Sequence, residues 1–411
     1  MMQKPKAPSA IKQRQLRNLS VTVKLLSSQL GGGAVAKQVA PDQWLRPAAV
    51  RGALRFWWRA INSPRFVTID ELRTHEIRIF GAAATEQSGP GACAVLVYNQ
   101  QLGRTSEYNF TPDDPKGVAY FPGQGMGGSK SRLLESGTAT IRVVEVLGRS
   151  EHSRSDDDWS ELKQALVAFI LFGGSGSRSR KTAGSIALSS PPPDELRFPA
   201  TVYELGAWFA ALPKGAPPAK LFSLGEAELF YRRTDQAGIL GMWRGFRQDR
   251  QHPSNWRGRT GWGRTRWPEA DALRFVHGVH ARWADGTTHA PEQSNQGKVP
   301  RAHLGLPIIV KFQHNRATNE PHPQRGRLLS PEPSRSEIGD RYASPVVLSL
   351  TLVGEKMLGL VLITPSTLNS VERISIKHTN TALSPGRWLD VKSRLLNHLK
   401  SNSFARIGEQ P

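Results

Sequence analysis

The chain has 411 residues and carries 55 Lys and Arg against 34 Asp and Glu, a formal charge of +21 at neutral pH with a pI near 10.5. That excess calls for a polyanionic partner. Acidic membranes are set aside because no apolar run reaches the length of a span and no long lysine-rich amphipathic helix is present, which leaves nucleic acid. A single cysteine excludes an internal disulfide and any multi-cysteine zinc site.

The amino terminus is basic up to Asp42, as a transit peptide is, yet Leu19 to Leu26 alternates in the manner of a strand and no secretory h-region precedes it. Arg46 to Ile61, R-P-A-A-V-R-G-A-L-R-F-W-W-R-A-I, then predicts a short helix. At 100° per residue, Val50, Leu54, Trp57, Trp58 and Ile61 share an apolar arc, while Arg51, Arg55 and Arg59 line the neighbouring face. Pro47 suits the first helical position and Asn62-Ser63-Pro64 stops the run. Arg46 and Arg51 therefore sit at the helix entrance, where unpaired N–H groups favour an anion, and guanidinium forks add bidentate phosphate recognition. A core helix with merely solvated arginines is the competing reading. On the first reading the arginines are free of the fold and can be replaced without unfolding it.

Ala92 to Tyr98 and Thr138 to Leu147 read as strands, with Cys93 a buried strand residue suited to a reducing, cytoplasmic compartment. The connection from Gly103 to Gly137 has the length of a functional or disordered loop. Within it, Gly123 to Ser131 approaches a P-loop, but Ser129 separates glycine from Lys130 and no apolar strand leads in, so no nucleotide hydrolysis is expected. Asp158 to Phe172 predicts a second helix with Asp158 as N-cap, and Asp156-Asp157-Asp158 is explained by the helix dipole without a metal. Next comes Gly173-Gly174-Ser175-Gly176-Ser177-Arg178-Ser179-Arg180-Lys181-Thr182-Ala183-Gly184. Its glycines permit close backbone approach, its serines offer donors and its cations supply charge, a combination that suits a cradle for the phosphate backbone rather than a plain tether. A short strand near Ser185 to Leu188 completes the order β-α-β-β-α-β, which is ferredoxin-like or RRM-like.

Pro191-Pro192-Pro193 cannot continue a helix or a ladder and marks the expected domain boundary, 1–190 against 191–411. Beyond it, strands are expected at Leu306 to Phe312, Val346 to Val353 and Met357 to Ile363, and helices at Asp271 to Ala284 and Arg387 to Leu399. His289 to Asp340 is expected to hold surface loops around one strand. Between Met242 and Trp283 lie nine arginines, three acids and five of the eleven tryptophans. Arg257, Arg259 and Arg264 among Trp256, Trp262 and Trp267 suit stacking on unpaired bases together with phosphate contact, while Trp283 reads as core. Whether this segment meets RNA or protein stays open. His277 and His280 lack the glutamate and third ligand of a zinc hydrolase. His75 and His152 are possible acid–base residues for RNA cleavage but stand in no recognisable constellation.

R-P-A-A-V-R-G-A-L-R-F-W-W-R-A, with E-I-R-I-F-G (Glu76 to Gly81), F-I-L-F-G-G-S-G-S-R-S-R-K (Phe169 to Lys181), H-L-G-L-P-I (His303 to Ile308) and R-Y-A-S-P-V (Arg341 to Val346), closely resembles the first-subunit family of type III-B CRISPR Cmr complexes, within the RAMP superfamily. The matches span most of the chain in order. The resemblance implies an α+β fold of two ferredoxin-like (RRM-like) domains with long loop insertions, and a non-catalytic, RNA-binding subunit of an antiviral defense complex. It also implies contact with guide RNA and target RNA near the guide 3′ end, with other Cmr-type effector subunits as partners and no cofactor or metal. By resemblance, Arg46, Arg51, Arg55, Trp58, Arg59 and the loop from Gly173 to Gly184 fall on motif positions. Ser175 departs from the apolar residue expected there, and Gln248 to Arg266 is only loosely similar. The competing function is a stand-alone RAMP-type endoribonuclease processing precursor guide RNA, and a third is a basic structural protein on rRNA.

Overall fold

The computed structural model describes residues 16–31, 40, 42–85, 88–108, 131–146, 156–218, 221–248, 281–282, 288–289, 300–304, 308–310, 327–331, 344–366, 374–376 and 382–408. It is a mixed helix-and-sheet fold with antiparallel sheets. The first sheet is built from β1 (Asn18–Leu25), β2 (Cys93–Leu102), β3 (Gly137–Glu145) and β4 (Ile186–Leu188), in the spatial order β2-β3-β1-β4. Every neighbouring pair is antiparallel, with Val21 opposite Ile141 and Val23 opposite both Ala139 and Leu188. The period of two puts Leu19, Val21, Val23 and Leu25 on one buried face.

Helices α1 (Pro47–Asn62) and α3 (Asp156–Phe172) pack together against that core. Pro47 opens α1, as its fixed φ and missing N–H allow. The expected arc is buried: Val50, Leu54, Trp57, Trp58 and Ile61 are all at or below 3 % exposure. Helix α3 begins at Asp156, two residues before the expected N-cap, so Asp158 lies inside its first turn instead. Between α1 and β2 stands α2 (Ile69–Phe80), which lies outside the expected order. A complete capping box opens it: Glu71 N–H donates to Thr68 Oγ1 at 3.2 Å, and Thr68 N–H donates to Glu71 Oε2 at 3.3 Å. The long connection after β2 carries paired strands at Thr105–Tyr108 and Ser131–Leu134, the latter also pairing Gln29–Leu30. Most of the P-loop-like stretch lies outside the described residues.

After α4 (Val202–Ala210), the second half builds its own sheet from β5 (Glu228–Arg233), β6 (Val346–Val353), β7 (Lys356–Ile363) and β8 (Ala405–Arg406). The spatial order is β6-β7-β5-β8, so in both sheets the first strand in sequence lies between the third and the fourth. Helices α5 (Gln236–Gln248) and α6 (Trp388–Ser401) supply Ile239, Trp243, Leu395 and Leu399 to one face of this sheet. The other face, with Val347, Leu358, Leu360 and Leu362, joins the core that holds α1 and α3. Coverage on both sides explains why V-V-L-S-L-T-L-V runs apolar instead of alternating sharply. It also explains why Ala165 to Phe172 of α3 is buried all round, as a helix packed between two layers must be. Side chains on both sides of residue 190, Leu205 and Phe209 among them, share that core.

Two expectations are corrected. Ala281–Arg282, placed in a helix by the sequence, is a strand paired antiparallel with Thr288–His289, the cross-strand partner overriding the local helical spacing. Pro300–Leu304, in a region expected to be surface loop, is a 3₁₀ turn that buries Ala302, His303 and Leu304. His303 there is fully buried, its ring nitrogens within 2.9 Å of Ser366 Oγ and 3.0 Å of the Gly386 carbonyl, and burial pulls its pKa below the usual histidine value. The expected strand at 306–312 exists as Ile308–Val310.

Candidate nucleic-acid interface

The arginine face of α1 looks onto α2 rather than straight into solvent. Arg55 Nε donates to Glu76 Oε1 at 2.6 Å, and Arg59 Nη1 reaches Glu76 Oε2 at 3.4 Å. The Glu76 side chain is 4 % exposed, the two arginines 32 % and 42 %. Arg51 Nη2 donates to the Phe80 carbonyl in the last turn of α2, where a cation meets the negative end of the helix dipole. Arg46 is half-buried at the N-cap and donates no side-chain hydrogen bond to the described residues. Trp58 is wholly buried, and its Nε1–H donates to Glu161 Oε2 at 2.9 Å. The glutamates that hold these residues were not singled out from the sequence. The Thr68–Glu71 capping box, with Leu72, Glu76, Ile79 and Phe80 at helical spacing behind it, was the signal that could have found α2 and Glu76.

A second ionic cluster lies on the other side of Trp58. Arg65 Nη1 donates to Glu161 Oε1 at 2.7 Å and Arg78 Nη2 to Asp158 Oδ1 at 2.6 Å. His75 stacks on Trp58 with its Nε2 3.3 Å from Asp158 and 3.6 Å from Glu161. Burial alone would raise the Asp158 pKa, but the His75 hydrogen bond and the Arg78 charge and hydrogen bond bring it below the usual carboxylate range. His75, Asp158 and Glu161 are close enough to hold a metal. Their oxygens are already taken by two guanidinium groups and an indole N–H, so charge and valence are met without one, and the cluster ties α1, α2 and α3 together. His152 lies outside the described residues.

The glycine-rich loop folds tightly and inward. Ser175 N–H donates to the Gly184 carbonyl at 2.8 Å, closing the loop on itself, and Gly184 N–H reaches Ser28 at 3.0 Å. Gly176 and Gly184 have φ of 82° and 66°, conformations that favour glycine. A Cβ on Gly174 would come within 2.8 Å of the Gly184 carbonyl oxygen, and one on Gly173 within 2.4 Å of the Phe169 ring. The glycines are thus required by packing within the chain itself. Ser175, the departure from the family pattern, is buried, and its Oγ donates to the Trp44 carbonyl at 3.3 Å. Gly176 and Ser177 are exposed, while Arg178 is half-buried with φ of 62°.

The loop's last cations reach the second half of the chain. Leu348 N–H donates to the Arg180 carbonyl at 3.0 Å, Thr182 N–H donates to the Leu348 carbonyl at 3.0 Å, and Lys181 forms a parallel bridge with Leu348. Lys181 Nζ donates to the Val346 carbonyl at 2.6 Å and sits 4.2 Å over the Trp243 ring. Burial, with the nearby charges of Arg247 and Arg180, holds its pKa well below the ordinary lysine value. The Arg180 guanidinium lies beside the packed rings of Phe56 and Phe222, 5.1 Å and 5.4 Å from their centroids, and burial lowers its pKa too. Beside it, α1 and the loop enclose a cavity of about 250 Å³ lined by Ala53, Phe56, Trp57, Phe172, Ser179 and Arg180. The structure therefore brings α1 and the loop to one cleft. Arg257, Arg259 and Arg264, with the tryptophans around them, lie outside the described residues.

Residues 22–187 match the sequence profile of the RAMP superfamily. No curated protein matches the sequence. Among solved structures, the chain is similar to apo Cmr1 from Pyrococcus furiosus, with 11 % identity and a TM-score of 0.50 over 95 % of this chain and 98 % of that one. A chain of a type III-B Cmr-beta complex bound to cognate target RNA gives 10 % identity and a TM-score of 0.48 over 93 % and 99 %. At such identity the likeness is one of fold. The stretch that carries α1, α3 and the glycine-rich loop thus bears the pattern of the RAMP superfamily, as the motif resemblance implied.

Proposed function

We propose that the chain is a non-catalytic RNA-binding subunit of a type III-B CRISPR effector complex, made of two ferredoxin-like domains, 1–190 and 191–411. On this reading it acts in the cytoplasm with guide RNA, target RNA and other Cmr-type subunits, near the guide 3′ end. The observation that carries it is the coincidence of a +21 charge with a RAMP-superfamily stretch whose arginine helix and glycine-rich loop meet at one cleft. The shared strand order of the two sheets supports the paired domains. The fold likeness to Cmr1 of Pyrococcus furiosus supports the place in a Cmr complex. A non-catalytic role is supported by His75, which is enclosed in an ionic cluster instead of facing a cleft.

The test is a pull-down of the full chain with sequencing of bound RNA, together with binding of single-stranded RNA across a salt series. Recovery of CRISPR guide RNA with other effector subunits is expected, and log affinity should fall by about 0.7 per neutralised phosphate against log salt. Cleavage of repeat RNA by the purified chain, abolished by His75→Ala, would overturn it in favour of a processing endoribonuclease.

A further inference from the structure

The cavity between α1 and the glycine-rich loop is more than a gap in the packing. Two of its walls are aromatic, Phe56 and Trp57 from α1 and Phe172 from the end of α3, and the third is a cation. Arg180 makes no side-chain hydrogen bond among the described residues, and its Nε is buried without a partner. Cation–π contact with Phe56 and Phe222 holds the guanidinium at the cavity wall. The volume, about 250 Å³, falls below the roughly 300–1,000 Å³ of sites for drug-sized ligands. It suits one planar ring system. Access is open along α1, where Gly52 has no neighbouring atom within 4 Å of a would-be Cβ and Ala49 is exposed.

We propose that this cavity receives one unstacked nucleobase of single-stranded RNA, guanine in preference, stacked on the aromatic wall with Arg180 donating to its O6 and N7. The charge of the chain and the aromatic lining together point to that occupant: a base offers a π-face to the rings and acceptors to the Arg180 guanidinium. Guanine presents two acceptors to a guanidinium where adenine puts a donor beside one, and uracil lacks the paired edge. This inference rests on the RNA-binding reading above and adds a base contact to a surface otherwise expected to hold phosphates.

The test uses the full chain and two 8-mer RNAs, one of uridine only and one with a single central guanosine. The guanosine oligomer should bind about tenfold more tightly, within the range of one bidentate base contact. Arg180→Lys, which keeps a charge but loses the fork, should abolish that ratio while the salt dependence stays the same. Ala53→Phe, which fills the cavity and leaves Arg180 in place, should abolish it as well. Equal binding of both oligomers by the unmodified protein, or a guanosine preference that survives Ala53→Phe, overturns this inference while leaving the RNA-binding reading standing. Binding of neither oligomer at low salt overturns both.

Discussion

Replacing Arg55 and Arg59 together by glutamine should destabilise the protein before it says anything about RNA. Both guanidinium groups neutralise Glu76, whose side chain is 4 % exposed. Breaking a buried pair by removing one partner costs about 3–5 kcal/mol, whereas exposed pairs contribute about 0–1 kcal/mol. Here the carboxylate is buried but its partners are a third or more exposed, so solvent screens part of the interaction and about 2–3 kcal/mol is expected. For a domain of about 150–250 residues that corresponds to roughly 4–12 °C in unfolding temperature. The assay is thermal or urea denaturation of the full chain and of Arg55→Gln/Arg59→Gln, Glu76→Gln and the combined variant. Removing Glu76 as well should restore most of the loss, giving a coupling within the range of about 0.5–3 kcal/mol seen for contacting groups. An unchanged midpoint in the arginine variant, with no coupling to Glu76, would refute the reasoning and return these arginines to the role of free phosphate ligands.

Trp58→Ala should cost at least about 3–5 kcal/mol, the range for emptying a buried aromatic site, since Glu161 also loses its indole donor; a loss below about 1 kcal/mol in urea denaturation would contradict the packing described. Gly184→Ala should lower stability in the absence of RNA, because φ is 66° and the added Cβ would strike the Ser175 carbonyl oxygen; a loop that tolerates it and loses only RNA affinity would mean that the glycine serves the ligand. The Asp158 carboxyl is held below its unfolded pKa by His75 and Arg78 against the opposing effect of burial, so its contribution is present above about pH 4 and is lost as pH falls through the lower folded value. Asp158→Asn should therefore flatten the acid limb of a stability–pH curve below about pH 4; superimposable slopes for the two proteins would exclude that linkage.

The spacing of apolar residues was enough to place β1, α1, α3, β6 and β7 within a few residues, because periods of 2 and 3.6 are local properties of the backbone. It also showed which arc of α1 is buried, and its charge composition pointed to a polyanion. Helix α2 was missed, because its strong charge hides its apolar spacing, although a capping box marks its start. The destination of the cations lay beyond any local pattern. Arg55 meets a glutamate 21 residues away, and Lys181 bonds to a carbonyl 165 residues away. A helical wheel tells which face turns from the core, but whether water, RNA or another helix lies there depends on what the rest of the chain packs against it. The same holds for the glycine-rich loop. Its composition allowed close approach of a backbone, and the fold decided that the backbone is the protein's own, with Arg180 left at the edge of a cavity lined by Phe56, Trp57 and Phe172.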